Sequence, residues 1–170
     1  MKELLRQAKN QLESKGINPV DAELLLAHAA HVTRMALHSK AIEFTPQIRE
    51  DFQNFINERI NGRPTQYIIG EAAFRYLELE VGEGVLIPRP ETEFWLREAL
   101  SSIGSVIDDS EKTYKPKRFL DLFAGSGCVG LSVLKNIPNS HVTFVEIVPE
   151  LKEQIEKSSD KNNIDRSRIE

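Results

Sequence analysis

Cysteine is nearly absent from this chain of 170 residues. Cys128 is the only thiol, so no intrachain disulfide can form, and a reducing compartment, the cytoplasm, is expected. Long apolar runs are missing too; none approaches the ~20 residues of a bilayer-spanning helix, so no membrane association is expected. Lys2, Arg6 and Lys9 are interrupted by Glu3 and Glu13, with no apolar core behind them, which is unlike a secretory leader. Positive charge is scarce: 22 Lys and Arg against 26 Asp and Glu leave a net charge of −4 and a pI near 5.7. Broad, sequence-independent nucleic-acid binding needs a basic face, so direct binding of that kind is not expected. Histidine is sparse as well. His28 and His31 lie three apart without a third candidate ligand, a spacing that favours packing or exposure over a metal site.

What the first sixty residues do have is helical punctuation. Leu4, Leu5, Ala8 and Leu12 mark one face of a first helix that Gly16 stops. Asn18-Pro19 is a cap followed by proline, and Ala22, Leu25, Leu26, Ala29 and Val32 give the next helix its apolar stripe. Thr33 caps a short third helix. Thr45-Pro46 opens a fourth through Ile48, Phe52, Phe55, Ile56 and Ile60, which Asn61-Gly62 and Pro64 end. A small helical bundle is the expected outcome.

From Pro64 to Val81 the period changes. Residues 74–81 alternate as in a strand, and Gly82-Glu83-Gly84 reads as a turn, so a strand or hairpin joining two domains is expected. Ile87-Pro88-Arg89-Pro90-Glu91-Thr92-Glu93 follows, with two prolines holding the backbone extended around an exposed guanidinium. A helix is expected from near Thr92, with Trp95, Leu96, Ala99, Leu100 and Ile103 inward and Gly104 at its end. Residues 105–117 are polar, without periodicity, and read as a loop.

The most informative stretch runs from Arg118 to Leu131. Phe119 to Phe123 is a short apolar run carrying one carboxylate, Asp121, and reads as a buried strand of a parallel sheet. Gly125-Ser126-Gly127-Cys128-Val129-Gly130 is a Gly-x-Gly-x-x-Gly turn, and Leu131, Val133, Leu134 and Ile137 have helical spacing. The turn needs positive φ and close backbone approach, and the helix start presents free N–H groups. A second strand, residues 141–146, ends in Glu146, a carboxylate able to accept both hydroxyls of a ribose. The pattern is a nucleoside-cofactor site. A dinucleotide strand is normally apolar where Asp121 stands, because a buried unpaired carboxylate is costly. Cys128 opens the helix after the glycine turn and reads as a small apolar residue packing the turn.

Asp121 four residues before Gly125 resembles motif I of S-adenosylmethionine (SAM) methyltransferases, whose cofactor has a cationic amino group and a sulfonium suited to nearby acids. Taken with the Ile-Pro-Arg-Pro-Glu-Thr-Glu run and Pro64-x-x-Tyr67-x-x-Gly70, the whole chain resembles the HemK/PrmC family of protein-(glutamine) methyltransferases. The resemblance implies an α + α/β architecture: a helical substrate-recognition domain over 1–72, a hairpin and linker over 73–90, and over 91–170 the start of a Rossmann-like SAM-binding domain whose sheet is incomplete. It implies methyl transfer from SAM to the side-chain amide of the Gly-Gly-Gln glutamine in a peptide-chain release factor. It places the cofactor residues at Asp121, Phe123, Ala124, Gly125, Ser126 and Gly127, with the ribose acid at Glu146, where most members have aspartate. Arg89 and Thr92 join that set, Arg89 facing either the methionyl carboxylate or the release factor, or else pairing with Glu91 or Glu93.

One departure is large. The family's catalytic Asn-Pro-Pro-Tyr, which holds the glutamine amide, occurs nowhere in these 170 residues, so no catalytic residue is assigned. The chain therefore reads as an N-terminal portion whose expected partners are a release factor and the missing C-terminal portion. Two other classes stay open: an adenine amino-methyltransferase, and a non-catalytic partner-binding module with a remnant cofactor domain.

Overall fold

The structure is a computed structural model that describes residues 1–39, 42–106 and 117–170. It divides into two compact units, Met1–Ile69 and Gly70–Glu170. The first is helical: α1 (Lys2–Ser14), α2 (Val20–Ala29), α3 (Ala36–Ser39), α4 (Pro46–Ile60) and α5 (Thr65–Ile69). The cap residues act as their chemistry predicts. Asn18 Oδ1 accepts from Val20 N at 3.0 Å, Thr33 Oγ1 from Ala36 N at 3.3 Å and Thr45 Oγ1 from Ile48 N at 3.2 Å. Leu12, Leu25, Leu26, Phe52 and Ile56 form the buried centre. The His28 ring lies 5.3 Å from that of Phe55.

Glu23 is the residue of this unit that sequence periodicity missed. It is only 7% exposed, yet it is charged. Lys9 donates to it, Arg34 Nε donates at 2.7 Å, and His38 Nε2 stands 3.6 Å away. The Lys9 hydrogen bond, then that of Arg34, holds the carboxyl down to about 2. A depressed acid stabilises the fold fully above its unfolded value near 4.5, and that contribution fades as pH falls toward 2. Acid unfolding of the helical unit is therefore expected to gather in that window. Glu23→Gln should cost about 1–3 kcal/mol at pH 7 and flatten the acid limb, as read from Leu25 and Leu26 amide signals during urea titrations at several pH values.

The second unit opens with an antiparallel hairpin, β1 (Glu71–Phe74) and β2 (Leu77–Glu80), in which Ala72 faces Leu79. The turn lies at Arg75-Tyr76, with Arg75 at φ 54°. The alternation across residues 74–81 is therefore two strands rather than one, and Gly82-Glu83-Gly84 follows the hairpin instead of closing it. Helix α8 (Pro149–Lys161) and the residue after it cover the open edge of β2. Asn162 Oδ1 accepts from Glu78 N (3.1 Å), its Nδ2 donates to Glu78 O (2.8 Å), and Ser158 Oγ accepts from Glu80 N (2.9 Å). Lys161 bridges Glu71 and Glu80. Unpaired strand groups are thus satisfied by side chains.

Helix α6 (Pro90–Val106) runs past Gly104, the expected stop; of the expected loop, residues 107–116 lie outside the described residues. Leu96, Leu100 and Ile103 meet the core. Trp95 does not: it is 58% exposed, because one residue step turns it roughly 100° away from the Leu96 stripe. Strands β3 (Lys117–Leu122) and β4 (Ser140–Val145) pair in parallel, joined through α7 (Cys128–Asn136). Ile169 forms an isolated parallel bridge with Val142, and Phe144 N donates to Glu170 O at 2.8 Å. This is the start of a Rossmann-like sheet. One expectation is corrected: β3 is buried on one face only. Phe119 joins the core, but Leu120 and Leu122 are 60% and 56% exposed, since among the described residues α7 covers one side of the sheet and nothing covers the other.

Candidate cofactor site

The backbone after β3 turns sharply. Phe123, Gly125 and Gly127 all take positive φ, at 59°, 55° and 72°. The alternation sends Ala124 and Ser126 inward and leaves Phe123 almost fully exposed. Ala124 N still donates to Val145 O (3.1 Å), and Gly127 N to Ala124 O (2.8 Å), so the turn is pinned to the end of β4 and to itself. Phe123 bears a conformation that β-carbons disfavour, strain of a kind that collects at ligand sites.

The three glycines serve different ends. A Cβ on Gly125 would meet only the Phe123 carbonyl, at 3.9 Å, so the space above it is open. A Cβ on Gly127 would lie 2.9 Å from Ile155 Cγ1 on α8. One on Gly130 would lie 2.4 Å from the Phe144 ring. The Cβ direction at Gly125 is open, whereas Gly127 and Gly130 let α8 and β4 pack close.

Two acids hold the turn from either end. Asp121 Oδ2 accepts from Gly130 N at 2.8 Å. Gly127, at the N-cap position of α7, has no side chain to cap with, so Asp121 caps that helix from β3. Burial pushes its carboxyl up, and the Gly130 hydrogen bond opposes the rise. Glu146, one residue beyond β4, accepts from Gly125 N with Oε2 (2.7 Å) and from Ile147 N (2.7 Å) and Val148 N (3.1 Å) with Oε1. These bonds, that from Gly125 foremost, hold its carboxyl below the usual value. Burial raises the Cys128 thiol, which leaves it a poor nucleophile at neutral pH.

The turn and Glu146 are thus brought together. Arg89 and Thr92 lie apart in sequence, at the start of α6: Thr92 N donates to Arg89 O at 3.0 Å, and the exposed Arg89 makes no ion pair among the described residues, with Glu91 or Glu93 or otherwise. Sequence reasoning passed over Ile147, which is 89% exposed directly after the acid. An apolar side chain just past a strand-ending carboxylate was the available signal. Open space over Gly125, a carboxylate beside it and exposed Phe123 and Ile147 on the two flanking loops fit a nucleoside: hydroxyls for the acid, a flat apolar face for the side chains.

Residues 3–70 match the family model described as the PrmC N-terminal domain. Over 154 residues, 86% of this chain and 50% of the relative, the sequence is 39% identical to a release factor glutamine methyltransferase of Bifidobacterium longum (strain NCC 2705). It is 37% identical over 153 residues to a release factor glutamine methyltransferase of Chlamydia trachomatis serovar D, covering 88% of this chain and 50% of that one. A bifunctional methyltransferase of Rickettsia typhi (strain ATCC VR-144 / Wilmington) is 30% identical over 99% of this chain and 35% of its own length. The chain spans about half the length of the first two relatives. No helix among the described residues is long and apolar enough to cross a membrane.

Proposed function

Since the chain belongs to the HemK/PrmC family, we propose that it supplies the helical recognition domain and the SAM-holding part of a methyltransferase that modifies the Gly-Gly-Gln glutamine of a peptide-chain release factor in the cytoplasm. The observation that carries this reading is the meeting of Glu146 with the glycine turn beneath open space at Gly125. SAM, when bound, supplies the methyl group. The chain's own part is to bind and orient: Glu146 takes ribose hydroxyls, Phe123 and Ile147 give the purine an apolar surface, and the turn from Phe123 to Gly127 follows the cofactor's backbone. Arg89, exposed and without an ion pair among the described residues, is available to an anionic group such as the methionyl carboxylate. The uncovered face of β3, with Leu120 and Leu122, suits the C-terminal portion that would carry Asn-Pro-Pro-Tyr.

A remnant cofactor domain that no longer binds would have no reason to keep the space over Gly125 open, so binding separates the readings. In calorimetric titrations of the 170-residue chain, SAM is expected to bind and NAD not. Glu146→Ala should weaken SAM about tenfold or more, since it removes a charged acceptor. Equal affinity of the wild type for SAM and its 2′-deoxy analogue would refute the role given to Glu146, and absence of SAM binding would refute the cofactor reading.

A further inference from the structure

Glu146 spends most of its acceptor capacity within the chain. A carboxylate offers about four acceptor positions, two on each oxygen. Oε1 fills both of its positions with Ile147 N and Val148 N, and Oε2 spends one on Gly125 N. One position is left. A ribose presents two adjacent hydroxyl donors, one more than the side chain can accept as it stands.

We propose that Glu146 is a clasp that closes the glycine turn in the free chain and opens only for a vicinal diol, exchanging the Gly125 N–H for the second hydroxyl. This rests on the nucleoside reading of the site and adds to it a cost of entry and a selectivity. The exchanged bond is the Gly125 bond for a geometric reason. Ile147 and Val148 lie one and two residues from Glu146, within its own turn, so a small rotation of the carboxylate about Oε1 keeps both bonds. Gly125 is 21 residues away on another loop and is held to Oε2 by this contact, so a modest rotation of the carboxylate parts them. The remaining ties of that loop, Ala124 N to Val145 O and Gly127 N to Ala124 O, do not involve Glu146. The turn keeps its shape when the clasp opens, and Gly125 N–H is freed from Oε2. A nucleoside lacking the diol leaves the clasp shut. Glutamate suits this task because its extra methylene carries the carboxylate out to the neighbouring loop.

Amide exchange at Gly125 in the ¹⁵N-labelled 170-residue chain tests each half. In the free wild type this amide should be protected, and in Glu146→Ala it should exchange roughly tenfold faster or more, with signals outside residues 123–149 unmoved. Equal exchange in the two proteins would overturn the clasp without reference to any ligand. With saturating SAM, Gly125 should lose its protection while Ile147 and Val148 keep theirs. The 2′,3′-dideoxy analogue should shift Phe123 and Ile147 and leave Gly125 protected. Retained protection under SAM, with other amides of the turn shifted, would overturn the exchange. No shift with either compound would overturn the nucleoside reading and the exchange with it, while the Glu146→Ala comparison still decides the clasp.

Discussion

Gly130→Val will abolish the ordered packing of Gly70–Glu170 and leave Met1–Ile69 folded. Gly130 is buried in the first turn of α7, where a Cβ would stand 2.4 and 2.6 Å from two Phe144 ring carbons and 2.9 Å from Val142 Cγ1. Valine adds two further methyl groups in the same place. Val142 is 1% exposed and belongs to the core of this unit, so it has nowhere to retreat. Even alanine should destabilise: overpacking costs typically 1–3 kcal/mol, against a gain of about 1 kcal/mol from replacing a helical glycine. Displacing α7 also pulls Gly130 N away from Asp121, which leaves a half-buried carboxylate without its donor. The helical unit has its own caps and its own core, and none of these groups belongs to it. In a ¹H–¹⁵N spectrum the β3 and β4 signals should collapse toward unstructured positions while those of α2 and α4 hold. Wild-type shifts across β3 and β4 would show that the Phe144 ring swings aside.

The elements legible in the sequence were those whose signals are local. Asn18, Thr33 and Thr45 cap the helices they precede, because a cap bonds an N–H two or three residues away. The parallel pairing of β3 with β4 follows from strand, glycine turn and helix in series. The resemblance drawn from the Ile-Pro-Arg-Pro run and motif I is borne out by the relatives.

What escaped was decided at a distance. Glu23 looks like one acid among many until Lys9 and Arg34, 14 and 11 positions away, fold onto it. The hairpin turn was hidden because Arg75 takes positive φ without the Gly or Asn that normally announces such a turn. Trp95 misled because it stands one step off the Leu96 stripe of its helix, and the outward face of β3 misled for another reason. An apolar residue is expected inside, yet burial needs a covering layer, and none lies over Leu120 and Leu122 among the described residues. Asp121 was legible as unusual but not as a helix cap, since Gly130 N reaches it only once α7 has folded back along the strand.

The second large effect concerns chemistry. The 170-residue chain is expected to transfer no methyl group to a Gly-Gly-Gln release factor, even with SAM saturating. An amide nitrogen is a weak nucleophile, and its direct displacement on a methyl group depends on being held in line with that methyl; orientation of this kind supplies about 7–11 kcal/mol of barrier reduction in favourable cases. None of the groups gathered here can supply it. Asp121 is committed to Gly130 N, Glu146 to Ile147 N, Val148 N and, with cofactor present, the ribose, burial raises the Cys128 thiol, and the sequence contains no Asn-Pro-Pro-Tyr. On the proposed reading the turn holds the cofactor, and among the described residues beside it none is placed to grip a glutamine. Extending the chain beyond Glu170 with a segment that adds a strand to the free edge of β3 and carries Asn-Pro-Pro-Tyr at its end should bring activity from undetectable to readily measured. In the same extended chain the exposures of Leu120 and Leu122 should fall, which hydrogen exchange across β3 would register as protection. Radiolabelled methyl transfer to a release factor, run with the 170-residue and the extended proteins side by side, is the deciding measurement. Turnover by the shorter protein would mean that one of the groups named here takes hold of the glutamine after all; turnover by neither would remove the Gly-Gly-Gln substrate from consideration.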